Sequence, residues 1–350
     1  MKVYQREDDT AMPETTNQTV VITGATAGVG RATAFAFARR GWRVGLVARG
    51  QEGLEGTAEE VRLAGGTPHI LKADVTDPAR VEEVADEAER VFGPIDVWVN
   101  AAMANMFSPF EEMTPEEFRR VTEVTYLGTV HGTLAALKRM RARDHGTIVQ
   151  VGSVASYRAI PLQSAYSGAK FAARGFTDAL RCELLHDRSR VRLSMVQLPS
   201  INTPLYDWAR SRLSHLPRPF PPVFQPEVAA HAVVRAAMEG PREIWVGRQA
   251  VQAIIGAFLA PATLDRMLAR RGWSDQISHD VGGPDRSDNL FEPTFGAAPH
   301  GRFTGEAESQ AIEVVPEMPN PLRPVAEASL LGFGLAAMTF GGIVRRLTGA

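Results

Sequence analysis

Val20-Val-Ile-Thr23-Gly24-Ala-Thr26-Ala-Gly28-Val29-Gly30 is the stretch on which the fold turns. Its first residues are β-branched and apolar, which predicts a short buried strand. Three glycines within seven residues predict a turn. Val29–Arg40 follows as a helix with Ala and Phe on its inner face, and Gly41 closes it. Working outward, further strands are expected at Arg43–Ala48, Ile70–Ala73, Ile95–Asn100, Thr147–Gly152, Val191–Gln197 and Glu243–Val246. Helices are expected between them over Glu52–Leu63, Pro78–Phe92, Pro115–Met140, Ala165–Leu185 and Glu227–Glu239. Such alternation predicts an α/β fold, a doubly wound parallel sheet of seven strands with helices on both faces.

The rest of the chain divides around that domain. Residues 1–18 are polar with charges of both signs, without the basic-then-apolar order of a signal peptide, and are expected to be a disordered lead-in. Residues 19–248 form the α/β domain. Residues 249–273 carry helical spacing at Val251, Ile254, Ile255, Phe258 and Leu259, broken at Pro261. Residues 274–324 are rich in Gly, Pro, Asp and Glu and are expected to be irregular or disordered. Residues 325–350 contain Ala328–Val344, seventeen residues without a charge, followed by Arg345-Arg346.

Composition narrows the function class. A 44% hydrophobic and 22% charged chain can bury an ordinary globular core. A net charge of −2 with no basic run excludes a broad nucleic-acid footprint. Cys182 is the single cysteine, so no intrachain disulfide forms, which fits a reducing, cytoplasmic setting. The eight histidines are scattered, and no spacing suggests a metal site.

The glycine turn suits a dinucleotide pyrophosphate. That group needs a turn without Cβ atoms, backbone N–H donors and the positive end of a helix dipole. Gly24, Gly28 and Gly30 supply the turn, and the helix from Val29 supplies the dipole. At the end of the second strand Ala48 stands where an acidic residue would take the ribose hydroxyls. Arg49 follows it, and a guanidinium there suits a 2′-phosphate, so NADP(H) is favoured over NAD(H).

Tyr166 and Lys170 lie at i and i+4 on one helical face, with Ser153 thirteen residues before the tyrosine at a strand end. Reducing a carbonyl puts charge on its oxygen and requires a proton there. A tyrosine beside an ammonium can lower its pKa and serve as acid in one direction and base in the other. A serine hydroxyl can stabilise the developing charge.

Together these residues resemble the short-chain dehydrogenase/reductase family, in its single-domain Rossmann-like form with a C-terminal extension. The resemblance covers about Thr19 to Gly247. The family pattern Thr-Gly-x-x-x-Gly-x-Gly matches Thr23 to Gly30, with Thr26 and Val29 inside it. The resemblance implies that Asp74, followed by Val75, contacts the adenine, and that Asn100 braces the fourth strand. It implies that Lys170 also holds the nicotinamide ribose, and that Pro199 and Thr203 lie near the nicotinamide. It also implies a homo-oligomer through the helices of Thr125 and Tyr166. Three departures stand out: Ala101 and Met103 in the usual Asn-Asn-Ala-Gly, Ser200 for glycine after Pro199, and Thr125 for the relay asparagine. A threonine hydroxyl there is expected to hold a water in a variant relay.

The expected activity is NADP(H)-dependent hydride transfer to or from a small-molecule carbonyl or alcohol. Leu205, Tyr206, Trp208, Phe220 and Phe224 suggest a hydrophobic substrate. The departures leave a second reading open, an NADP-binding scaffold or redox-sensing regulator with little turnover. Ala328–Val344 sits at the lower length limit for a membrane span, and an interfacial or docked helix fits it equally, so the C-terminus is expected to associate with a membrane surface.

Overall fold

The computed structural model describes residues 2–4, 17–282 and 286–316. The Ala328–Val344 segment and most of the lead-in lie outside the described residues. Among the described residues, no helix is long and apolar enough to cross a membrane.

Nine strands form the main sheet: β1 (Lys2–Tyr4), β2 (Thr19–Thr23), β3 (Arg43–Ala48), β4 (Thr67–Lys72), β5 (Val97–Asn100), β6 (Thr147–Ser153), β7 (Arg192–Leu198), β8 (Glu243–Val246) and β9 (Glu313–Val315). Their order is β1-β9-β8-β7-β6-β5-β2-β3-β4. The seven strands from β2 to β8 are parallel, as the alternation predicts. The sheet is wider than expected. β9 adds antiparallel to β8, and β1 adds antiparallel to β9. The lead-in and the tail therefore pair with each other on one edge, and covering an edge removes unpaired backbone groups from it.

Helices α1 (Gly28–Ala38), α2 (Gln51–Leu63), α3 (Pro78–Phe92), α4 (Pro115–Thr122), α5 (Gly128–Arg143), α6 (Ser164–His186), α7 (Leu205–Trp208) and α8 (Pro226–Glu239) follow. Side chains alternate across β2: Val20 and Ile22 join a core with Phe37 and Trp42 on one face, and Val21 joins Leu71 and Trp98 on the other. Both faces are thus dry, as a parallel sheet requires. Local signals set the helix starts. Asp77 accepts from the N–H groups of Ala79 and Arg80 beside Pro78, and Thr114 forms a reciprocal capping box with Glu117.

One expected element is interrupted. The helix predicted over Pro115–Met140 breaks into α4 and α5 around a π turn at Glu123–Leu127, which holds Thr125. Such turns let one extra residue bulge out of the ladder. Beyond β8, α9 (Arg248–Leu259) and α10 (Pro261–Arg271) divide before Pro261 as its ring demands. The 274–324 segment, expected to be irregular or disordered, contains a strand at Ile277–Val281, which pairs with His215–Pro217, as well as β9. Between them the described residues 286–312 are irregular but anchored.

Candidate active site

One cleft opens at the carboxyl ends of the strands, where parallel sheets bind ligands. It is lined by Gly24, Gly28 and Arg49 at one end and by Ser153, Tyr166 and Lys170 at the other. Gly24 has φ +71°, and a Cβ there would lie 2.7 Å from Ala102 Cα, so the turn needs glycine on both grounds. A Cβ on Gly30 would lie 2.1 Å from the Gly24 carbonyl oxygen. The turn is therefore folded tightly against itself, and it presents the first N–H groups of α1, which have no partner within the helix. That is an anion cradle of the kind a pyrophosphate fits. Thr23 sits behind it: its hydroxyl accepts from the N–H groups of Ala101 and Ala102, both at 3.2 Å, and fixes the next strand end.

At the other end, the Ser153 hydroxyl accepts the Ala155 N–H at 3.1 Å. Its own hydrogen is thereby left to donate elsewhere. Lys170 is buried, and its Nζ donates to the Val151 carbonyl at 2.7 Å and lies 5.6 Å from the centre of the Tyr166 ring. Burial pushes the Tyr166 phenol up to about 12, against a weaker downward pull from the Ser153 hydroxyl. Burial pushes Lys170 itself down to about 8, so it still carries its proton at neutral pH. Tyr166 is held as a neutral acid at neutral pH.

This geometry meets an independent likeness in sequence. The family model described as short chain dehydrogenase matches residues 18–213. The chain belongs to that family. It is also 31% identical to the uncharacterized oxidoreductase YxnA of Bacillus subtilis, over 92% of this chain and 89% of the relative. An uncharacterized oxidoreductase of Mycobacterium tuberculosis, Rv1543, is 31% identical over 72% of each chain. The mouse protein named 17-beta-hydroxysteroid dehydrogenase 13 is 32% identical over 66% of this chain and 74% of its own length. As a member of the short-chain dehydrogenase family the protein is an oxidoreductase of CH–OH or C=O groups that uses NAD(P).

Against that frame of family residues, the cleft collects Gly24, Thr26, Gly28, Val29, Gly30, Arg49, Asp74, Val75, Ser153, Tyr166, Lys170, Pro199 and Thr203. Thr23, Asn100 and Thr125 stand behind its walls. Asn100 is buried; it accepts from Trp98 Nε1 at 2.9 Å and donates to Thr133 and Gln150, which braces β5 against β6. Thr125 is bonded to the neighbouring loop. Its hydroxyl donates to the Ala104 carbonyl at 2.8 Å and accepts the Ala104 N–H at 2.9 Å, so its hydrogen and one of its lone pairs are committed to that loop. It fixes the loop that carries Met103 into the cleft. Of the apolar candidates, Leu205, Tyr206 and Trp208 line the cleft, whereas Phe224 is core and pairs through β-structure with Ile201, and Phe220 stands outside.

The adenosine end is more crowded than expected. Asp74 accepts from the Thr76 N–H and hydroxyl and from Arg120 Nη2 at 2.6 Å. Burial would raise its pKa, but those bonds outweigh it and hold it low. Arg49 donates to the carbonyls of Phe291 at 2.5 Å and Asn289 at 2.7 Å, residues from the segment expected to be disordered. Asn289, Pro293, Thr294 and Ala297 line the cleft too. No local pattern in their sequence announces this. The bonds that hold them come from arginines of the body to main-chain carbonyls, which every residue has.

Proposed function

We propose that the protein reduces a bulky apolar ketone or aldehyde with NADPH, with Tyr166 as acid, Ser153 as the donor to the substrate oxygen and Lys170 as their electrostatic partner. The observation that carries this is the meeting of Ser153, Tyr166 and Lys170 in one cleft, with Lys170 Nζ 5.6 Å from the centre of the Tyr166 ring. When bound, the nicotinamide supplies the hydride. The chain's own residues do the rest. The Ser153 hydroxyl orients the carbonyl oxygen and stabilises its growing charge, and Tyr166 delivers the proton. Lys170, anchored by the Val151 carbonyl, offsets the charge left on the phenol. Arg49, at the adenosine end, supports the phosphorylated cofactor.

Leu205, Tyr206, Trp208 and Met103 support an apolar substrate, as does the name of the mouse relative, a hydroxysteroid dehydrogenase. A scaffold that merely binds the cofactor has no need of an ammonium and a phenol buried together, which weighs against that alternative. The exposed apolar side chains Leu127, Leu134 and Phe171, on and beside α5 and α6, support pairing with another copy through those helices. The decisive experiment follows NADPH oxidation across a panel of bulky ketones for wild type and Tyr166→Phe. The substitution should lower turnover by about 10²–10⁴-fold. Equal turnover by both proteins would remove Tyr166 from the reaction.

A further inference from the structure

Residues 286–301 cross the mouth of the cleft as a strap. At one end the Asn289 N–H donates to the Trp208 carbonyl at 3.0 Å, and Leu290 is completely buried in the body's core. At the other end the Gly301 N–H donates to the Asn202 carbonyl at 3.2 Å. Between these anchors the strap lies on the glycine turn and on arginines beside it. The Ala298 carbonyl accepts the Gly28 N–H at 3.0 Å, one of the first-turn donors of α1. The Ala297 carbonyl accepts from Arg31 at 2.6 Å, and Arg49 is bonded to Asn289 and Phe291. Asn289 lines the cleft, and its Oδ1 is buried without a hydrogen-bond partner among the described residues. A buried amide oxygen left unpaired is costly, and a ligand amine beside it would relieve the cost.

We propose that Asn289–Ala298 is a wall of the dinucleotide site, which roofs its adenosine end and swings aside to admit and release the cofactor. Asn289 offers its orphaned oxygen to an amine such as that of adenine. The proposal rests on the dinucleotide reading of the cleft. The strap's tethers are backbone carbonyls to Gly28, Arg31 and Arg49; opening frees the Gly28 N–H and the Arg49 guanidinium for phosphates, while Arg31 stays paired with Glu60. Closure afterwards is held by the contacts that phosphates do not take, Leu290 in the core, Arg31 to the Ala297 carbonyl and Gly301 to Asn202, and it shields the bound dinucleotide from solvent. Both the association and the dissociation rate constants of the cofactor are then set by the strap.

A reversible cross-link tests this. A Cβ on Gly50 would lie 3.3 Å from Pro293 Cβ with nothing else within 4 Å, a few tenths of an ångström short of disulfide spacing. Gly50→Cys with Pro293→Cys, made in a Cys182→Ser background, would lock the strap to the body. Stopped-flow binding of NADPH, followed by protein fluorescence, should show association slowed at least about tenfold in the oxidised protein and restored by reduction. Protein loaded with NADPH before oxidation should release it correspondingly slowly. Leu290→Ala, which loosens the anchor without a cross-link, should raise the association and dissociation rate constants together. Association equally fast in oxidised and reduced protein, or unchanged by Leu290→Ala where no cross-link forms, overturns the strap. Failure of the wild-type protein to bind NADPH or NADH at all overturns the dinucleotide reading, and the strap with it.

Discussion

Residues 19–247 and residues 286–301 line the same cleft and reach it by opposite routes. The body is written in periodicity: apolar residues recur at strand and helix spacing, and each element buries its face against the sheet. Its functional groups then arrive at strand ends as a consequence of topology. The strap has no periodicity. It is positioned by single anchors, by Leu290 in the core and by arginines and N–H groups of the body that reach its carbonyls. The lesson is that a site can take one wall from a pattern and another from side chains far away in sequence. Substitutions in the body should act on the chemistry, and substitutions at the seam should act on holding the cofactor.

The largest effect that sharpens this contrast is expected at Lys170. Lys170→Met should lower the rate of reduction by about 10²-fold, because the charge that offsets the phenolate is gone. Stability should move differently. The folded-state pKa of about 8 lies below the ordinary 10.5, so the native protein carries this ammonium at a cost of about 3 kcal/mol below pH 8. Losing the bond to Val151 gives back about 1–2 kcal/mol of that. The variant should therefore melt no lower than wild type at pH 7. For wild type the sign is fixed by the same shift. Between pH 8 and 10.5 the unfolded chain binds the proton more than the folded one, so this group's contribution to stability rises with pH while its contribution to catalysis falls. Melting curves and rates of reduction across that interval check both halves. A Lys170→Met protein that melts well below wild type at pH 7 would break the contrast.

The body was legible because burial leaves a periodic trace. The strands at Arg43–Ala48 and Glu243–Val246 and the helix at Pro78–Phe92 stand at the predicted residues. Ser153, Tyr166 and Lys170 share the cleft as the spacing implied. What stayed hidden was tertiary. The burial that depresses Lys170 and raises Tyr166 depends on how the cleft walls close, which no spacing encodes. The break in the Pro115–Met140 helix falls where Thr125 meets Ala104 across the cleft wall, a contact between residues far apart in sequence. That pair gives an intermediate prediction. Thr125→Val leaves the buried N–H and carbonyl of Ala104 without partners, at about 2–3 kcal/mol. The melting temperature should fall by several degrees. Because the hydroxyl's hydrogen is committed to the loop, turnover at a temperature well below melting should fall much less than in Lys170→Met. A loss of turnover as deep as that of Lys170→Met, in a folded protein, would return Thr125 to the proton relay.

The smallest effect is expected where body and strap meet, at Arg49, and it separates the two jobs assigned there. The guanidinium donates to two strap carbonyls and lies 4.0 Å from Asp74, with donors to spare for a 2′-phosphate. Burial first, and then Arg120, lower its pKa, yet a guanidinium so placed remains charged at neutral pH. Arg49→Ala should weaken NADPH binding about tenfold, the scale of a single charge-assisted contact in a partly wet site. NADH, which lacks the phosphate, should lose only what the strap tethers contribute, so the preference between the two cofactors should shift toward NADH. Titrating both cofactors into wild type and variant measures that shift directly. Equal weakening for NADPH and NADH would assign Arg49 wholly to the strap and leave the phosphate without a partner at this position. An unchanged NADH affinity beside a weakened NADPH affinity would assign it to the phosphate and leave Leu290 as the strap's main anchor.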